Sequence, residues 1–216
     1  MTAARMQARA NTEGSAPIQL GVLVSGSGSN LQAILDAIAD GSLNAEVKVV
    51  ISNRPGVLAL ERAANAGVTA LAIPHKNFAT REDFDRALVT TLRENGVDWI
   101  VLAGFMRVLT VEFLRAFSGR IINIHPALLP AFPGVEAIQQ ALDYGVKITG
   151  CTVHYVELGV DLGKIIAQRA VAIEPGDDLA SLSARVHEAE HALLVSVLGE
   201  IAAGKVTPLA NARNEV

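Results

Sequence analysis

Ile18-Gln19-Leu20-Gly21-Val22-Leu23-Val24-Ser25-Gly26-Ser27-Gly28-Ser29-Asn30-Leu31 decides the fold, because an apolar run passes through a serine–glycine turn straight into helical spacing. An apolar run of this length bounded by turn residues reads as a buried strand, here to about Ser25, and the spacing from about Asn30 to Ala39 reads as a helix. A strand from Val47 to Ser52 completes a βαβ unit, the rhythm of a parallel sheet. The alternation continues with a helix near Ala59–Ala66, a strand Thr69–Ile73, an amphipathic helix Thr80–Asn95 and a strand Trp99–Ala103, with Gly67, Gly96 and Gly104 marking element ends. Ile121–His125 is a further buried strand, stopped by Pro126. Beyond it come a helical stretch around Ala137–Leu142, two strand-like runs, Thr149–Val156 and Lys164–Ile173, and a last helix of about Leu179–Ala202. The expected fold class is α/β, a mostly parallel twisted sheet with helices on both faces. Both halves should share one continuous sheet, with a site where they meet at strand carboxyl ends.

At 216 residues and 50% hydrophobic content the chain has material for a single large core. The single domain is expected over residues 18–203, between an extension at 1–17 that reads as disordered and a tail at 204–216. The extension carries Arg5 and Arg9 against one acid, Glu13, and has no apolar run of a secretory signal; a short transit leader is the lesser reading. A net charge of −4 argues against a nucleic-acid surface or an anionic membrane as partner, since both call for clustered Lys and Arg. The longest apolar stretch, about Trp99 to Met106, is far short of the roughly 20 residues of a membrane span. One cysteine, Cys151, forms no internal disulfide and sits in a strand pattern, so packing and a reducing cytoplasm are the expectation.

Asn123-Ile124-His125-Pro126-Ala127-Leu128-Leu129-Pro130 carries the densest chemistry. The period of two in a strand puts Asn123 and His125 on one face, beside each other, and Asp161 in Gly159-Val160-Asp161-Leu162-Gly163 supplies a carboxylate. An amide, an imidazole and a carboxylate suit acyl transfer without a covalent enzyme intermediate. A lone strand histidine is usually a satisfied core group, and Asp161 alone would pass for a solvated turn residue; it is their company that points to catalysis. His154 is expected in a supporting role. Ser25–Leu31 opens a helix where free N–H groups and the helix dipole receive a phosphate. Leu31 stands where the dinucleotide fingerprint has its third glycine, and no Gly-Lys-Ser/Thr ending follows, so a monophosphate is favoured over a nucleotide cofactor. His187-Glu188-Ala189-Glu190-His191 matches the zinc-protease pattern H-E-x-x-H, but the pattern is short and lacks the downstream extension. Helical periodicity instead sends Val186, Ala189 and Leu193 to the core and lets Glu190 point into a cleft. Arg81 and Arg107 read as anion-binding groups or ordinary surface charges.

These motifs, with Leu102-Ala103-Gly104-Phe105-Met106-Arg107 and Thr152-Val153-His154, resemble phosphoribosylglycinamide formyltransferases from about Ile18 to Ala202. The resemblance implies a formyltransferase fold with a Rossmann-like amino-terminal half. It implies transfer of a formyl group from 10-formyltetrahydrofolate, as co-substrate, to the amine of glycinamide ribonucleotide in purine biosynthesis, in the cytoplasm. By position it implies that Gly28, Ser29 and Asn30 hold the ribonucleotide phosphate and that Glu190 receives the glycinamide amine. Met106, Arg107, Val108 and Leu109, with Asn123, would line the folate pocket, and Arg81 would lie near the folate's other end. Asn123, His125 and Asp161 match the catalytic positions. No metal, nucleotide cofactor, nucleic acid or membrane is implied, and the protein would act as a monomer or homodimer. The chain departs from the pattern at Glu136, where His is common, and at Leu162 and Lys164, where the Asp161 loop commonly has a small residue and a proline.

The expected mechanism is direct attack of the amine on the formyl carbon, with the tetrahedral oxygen held by the Asn123 amide and protonated His125. Asp161 would hydrogen-bond His125 and help move a proton from the attacking nitrogen to the departing folate nitrogen. The rivals are a 10-formyltetrahydrofolate hydrolase, a methionyl-tRNA formyltransferase and a noncatalytic folate- or phosphate-binding relative. The first two would be expected to carry a further domain, for which this length leaves no room.

Overall fold

The Val-, Ile- and Leu-rich runs fold as strands because parallel strands flanked by helices must be apolar on both faces. A computed structural model describes residues 16–210; all but the last two residues of the expected extension, and the end of the expected tail, lie outside the described residues. Seven strands, β1 (Ile18–Val24), β2 (Ala45–Ser52), β3 (Thr69–Ala72), β4 (Trp99–Leu102), β5 (Ile121–His125), β6 (Ile148–Tyr155) and β7 (Ile165–Ala172), form one sheet in the order β3-β2-β1-β4-β5-β6-β7. The first five pair in parallel, while β5–β6 and β6–β7 are antiparallel. Among the described residues six helices accompany them: α1 (Ser29–Ala39), α2 (Leu58–Asn65), α3 (Arg81–Glu94), α4 (Val111–Ala116), α5 (Ala137–Tyr144) and α6 (Leu179–Ala202). Every strand and helix expected from the sequence is found within two residues of its expected ends. The additions are α4 and a single 3-10 turn at His75–Asn77, both too short to show a periodic apolar face.

The two faces of the sheet bury separate cores. On one, Leu20, Val22 and Val24 of β1 and Ile122 and Ile124 of β5 pack with Leu31 and Ile34 of α1 and Leu194, Val197 and Leu198 of α6. On the other, Leu23, Ile100 and Ile121 pack with Phe84, Leu88 and Leu92 of α3 and Phe113 of α4. Side-chain caps start α3 and α6: the Thr80 hydroxyl accepts from Asp83 N, and Asp178 and Ser181 form a reciprocal capping box on α6. Past α6 the chain turns back along the sheet, where Leu209 N donates to Gly119 O and the Tyr155 hydroxyl donates to Thr207 O. Residues 204–209 of the expected tail are therefore docked on the domain. Among the described residues no helix is long and apolar enough to cross a membrane.

Strand order reverses between β1 and β4, where the chain has run outward to β3 and returns to the other side of β1. That switch leaves a crevice at the strand carboxyl ends. Leu31, at the mouth of this crevice, is fully buried, so its side chain belongs to the core rather than to a nucleotide contact. We expect Leu31→Ala to cost about 2–5 kcal/mol of stability, seen as a lower urea midpoint with an unchanged denaturant slope.

Candidate active site

The crevice opens into a cavity of about 820 Å3, lined by residues 25–30 after β1, 102–109 after β4, 123–126 at the end of β5, 134–136, parts of 154–163, and His187 and Glu190 of α6. Strand parity places the chemistry. On β5, Ile122 and Ile124 enter the first core, so Asn123 and His125 project from the opposite face. The antiparallel register sets His154 opposite Asn123 and Thr152 opposite His125. A row of polar side chains thus begins where the cover from α3 and α4 ends.

Asp161 completes the cluster from the loop after β6. Its Oδ2 accepts from Gly134 N at 2.8 Å and lies 3.4 Å from His125 Nδ1; its Oδ1 lies 3.4 Å from Asn123 Nδ2 and 3.6 Å from His154 Nε2. His125 Nε2 is 2.8 Å from the Phe132 carbonyl, which can only accept, so this nitrogen carries a proton and Nδ1 is the one turned to Asp161. His154 Nδ1 likewise donates to Tyr155 O at 2.8 Å, leaving Nε2 beside the Asn123 amide at 3.1 Å. Burial would raise the Asp161 carboxyl, but the His154 contact, the Gly134 amide and the charge of the two imidazoles outweigh it and hold the group below the ordinary aspartate value. Asp161 takes a left-handed backbone, φ 55°, a region that Asp tolerates better than most residues.

The departures in this loop leave Asp161 in the cluster. Leu162 turns to solvent, 72% exposed. Lys164 secures the loop through its backbone, accepting from Tyr155 N and donating to the Glu157 carboxylate. Gly163 is obligatory between them, since a Cβ there would come within 1.7 Å of Tyr155 O. Glu136 also has a left-handed backbone, φ 58°, caps α5 and lines the cavity.

Gly28, Ser29 and Asn30, the residues expected to hold a phosphate, line the same cavity. Gly28 is the left-handed N-cap of α1, φ 73°, and a Cβ there would meet Ala59 at 2.6 Å, so only glycine lets the loop lie this close to α2. No acid occupies the first turn of α1, whose free N–H groups face the cavity mouth. Asn30 Oδ1 is buried with no hydrogen-bond partner among the described residues. Beside it Glu190, 4% exposed, is pushed up to about 7 by burial, against the lowering effect of its hydrogen bond with Asn30. Of the expected folate-side residues, Met106, Arg107, Val108 and Leu109 all line the cavity, with Arg107 over the Phe84 ring at 5.9 Å. Arg81 is not among the lining residues; it sits on the exposed first turn of α3.

Several lining or supporting groups were not singled out from the sequence: Arg54, the Phe132 carbonyl, the Gly134 amide and Val135. Pro133-Gly134 announces a turn, but nothing in the string says that its backbone reaches β5. His187 lines the cavity with Nε2 4.0 Å from Glu190, and among the described residues no three His, Cys, Asp or Glu side chains converge as metal ligands. Cys151 is buried and its thiol is pushed up to about 12 by burial and by Glu190, which leaves it a packing residue.

A family model described as "Formyl transferase" matches residues 18–198. The trifunctional purine biosynthetic protein adenosine-3 of Drosophila melanogaster is 54% identical over 175 residues, 80% of this chain and 13% of that protein. This chain spans less than a fifth of such multifunctional relatives. Phosphoribosylglycinamide formyltransferase of Escherichia coli is 40% identical over 88% of this chain and 90% of its own length. Glycinamide ribonucleotide transformylase 1 of Symbiobacterium toebii has a similar structure, with TM-score 0.88 and 46% identity over 93% of this chain and 94% of that one.

Glu190 has a stability consequence. Its pKa is raised on folding, from 4.5 to about 7, so between those values the folded state holds the extra proton and stability falls as pH rises; above about pH 7 the loss is complete. Glu190→Gln should remove that slope and leave the protein more stable at pH 8, by on the order of 3 kcal/mol, measured by urea unfolding across pH 4–9.

Proposed function

The chain belongs to the formyl transferase family, and from that premise we propose that it transfers the formyl group of 10-formyltetrahydrofolate to the amine of glycinamide ribonucleotide. The observation that carries this reading is the opening of one cavity onto both the phosphate-binding turn at Gly28–Asn30 and the Asn123–His125–Asp161 cluster. A phosphorylated nucleophile anchored on the helix terminus can reach the cluster without leaving the cavity. The apolar wall of Met106, Val108 and Leu109 between them suits a flat heteroaromatic donor. The family uses formyl-folate as co-substrate, and single-function relatives of nearly the same length are named for this reaction.

In this mechanism the ribonucleotide phosphate takes the N–H groups of Ser29 and Asn30, and Glu190 with the orphaned Asn30 oxygen receives donor groups of the substrate, the amine among them. The amine attacks the formyl carbon. The Asn123 amide donates to the oxygen on which charge develops, and His125 stabilises the same charge. Asp161, held ionised, accepts the proton released by the attacking nitrogen, and that proton passes to the folate nitrogen as the carbon–nitrogen bond breaks. No covalent enzyme intermediate is required.

Purified protein, glycinamide ribonucleotide and 10-formyltetrahydrofolate should give deformylated folate only when all three are present. Release without the ribonucleotide would make the protein a hydrolase, and binding without turnover would make it a noncatalytic relative. Asp161→Asn should lose the reaction. Asn123→Ala should lower turnover about 10²–10³-fold with KM for both substrates little changed, as for other lost oxyanion donors; unchanged turnover would remove Asn123 from the mechanism.

A further inference from the structure

The wall formed by Met106–Leu109 lines the cavity but belongs to no strand or helix. From Gly104 to Thr110 the hydrogen bonds that its amides donate go to side chains. Met106 N donates to Ser25 Oγ at 2.8 Å, and Thr110 N donates to Asp85 Oδ2 at 2.7 Å. Both acceptors are buried, 4% and 2% exposed. Packing alone leaves this segment underdetermined, because Phe105 and Leu109 enter the second core while Met106 and Val108 are bared, 60% and 50% exposed. An apolar side chain facing an open cavity contributes no burial energy to hold its own backbone.

We propose that Ser25 and Asp85 are positioning residues that grip this wall by its two end amides and so set the shape of the folate side of the site. The proposal rests on the reading of that wall as the folate pocket. Each grip is itself anchored. The Ser25 hydroxyl donates to Asn53 Oδ1 at 2.6 Å, and Asn53, 2% exposed, faces His75 Nδ1 at 3.3 Å through its amide nitrogen. With its proton committed to Asn53, Ser25 Oγ can only accept from Met106. Ser25 is also the first residue of the phosphate turn, so one hydroxyl fixes the spacing between the two halves of the cavity.

At the other end Asp85 rises from α3 to meet both the amide and the hydroxyl of Thr110, the N-cap of α4, with the Arg81 charge one helical turn away. A buried carboxylate is costly unless hydrogen-bonded, and these partners account for its place far from the reacting groups. They also give Arg81 an electrostatic role on α3 that does not depend on substrate.

Ser25→Ala, Asp85→Ala and Asp85→Asn test the grip in the full chain. Amide hydrogen exchange needs no substrate: Met106 N in Ser25→Ala and Thr110 N in Asp85→Ala should exchange about tenfold faster or more. Asp85→Asn keeps an oxygen acceptor and should protect Thr110 to within about threefold of wild type. In steady-state assays Asp85→Ala should raise KM for 10-formyltetrahydrofolate about tenfold, with KM for the ribonucleotide within about twofold, and Asp85→Asn should largely restore it. Unchanged exchange at both amides, or an equal rise in both KM values with faster exchange throughout the domain, would overturn the proposal. Absence of turnover in wild type would refute the proposed function while the exchange data still decide the grip. Should Asp85→Ala not fold, Ser25→Ala and Asp85→Asn carry the same comparison.

Discussion

Burial of the Asp161 carboxylate between two imidazoles, a side-chain amide and a backbone N–H is the constraint on which the site depends. A carboxylate out of water is unfavourable by several kcal/mol unless its oxygens are met by donors, and a half-satisfied cluster is worse than an apolar one. Here Gly134 N, Asn123 and the two histidines surround the two oxygens, and the result is a group that stays ionised despite its burial. Each neighbour is fixed in turn by something it cannot easily leave: His125 by the Phe132 carbonyl, His154 by the Tyr155 carbonyl, Asn123 by its place on β5. Preorganisation of this kind comes from the fold, since antiparallel β6 brings His154 to Asn123 and its following loop returns Asp161 to the same spot.

The parallel half contributes a different property. Its switch between β1 and β4 directs the amino end of α1 and the segment after β4 into one crevice, one side supplying free N–H groups and the other a bare apolar wall. Anion binding by a helix terminus needs no lysine, so a net charge of −4 is compatible with the proposed phosphate site. In the proposed reaction the mixed sheet therefore separates tasks: the parallel strands make the binding ends, and the antiparallel pairing of β5 with β6 makes the reacting cluster.

Much of this was legible in the sequence because it follows from period and punctuation. Apolar runs of four to eight residues alternating with helical spacing gave the strands and the long helices, and parity on Ile121–His125 put Asn123 and His125 on one face. Loop punctuation and helical periodicity singled out Asp161 and Glu190, and the resemblance added the roles expected of them; the two lie far apart in the string and reach one cavity only through topology. What remained hidden is mostly backbone: the Phe132 carbonyl, the Gly134 amide and the Met106 and Thr110 amides carry no mark in their residue types. Asp85 was hidden for another reason. Within an amphipathic helix an aspartate is read as surface, and only the packed structure shows it turned inward toward Thr110. Leu162 and Lys164 threatened the Asp161 loop on paper because the string does not show that Leu162 faces solvent, or that the Lys164 main chain bonds Tyr155 and Glu157, the latter through an N–H that a proline would lack.

Asp161 and Glu190, two of the carboxylates that line the cavity, are driven in opposite directions, and in the proposed reaction that difference divides their labour. Asp161 meets donors on both oxygens and remains charged, the state required of a group that accepts a proton from an ammonium as it forms. Glu190 is buried beside the Asn30 amide, with His187 Nε2 4.0 Å away, and burial pushes it up to about 7. A ligand that brings hydrogen-bond donors or positive charge to Glu190 must expel its proton, whereas one that brings an acceptor can use it. In the proposed reaction the phosphate end of the cavity is thereby tuned to the donor pattern of its ligand, and the reacting end is not. Among the described residues Asn30 Oδ1, beside Glu190, has no hydrogen-bond partner, so this end can accept a donor from a ligand. An amide or amine on a phosphorylated scaffold supplies such donors as N–H groups set apart from the phosphate itself. The selectivity of the proposed reaction therefore resides in the burial of Glu190 at least as much as in the helix terminus that holds the phosphate.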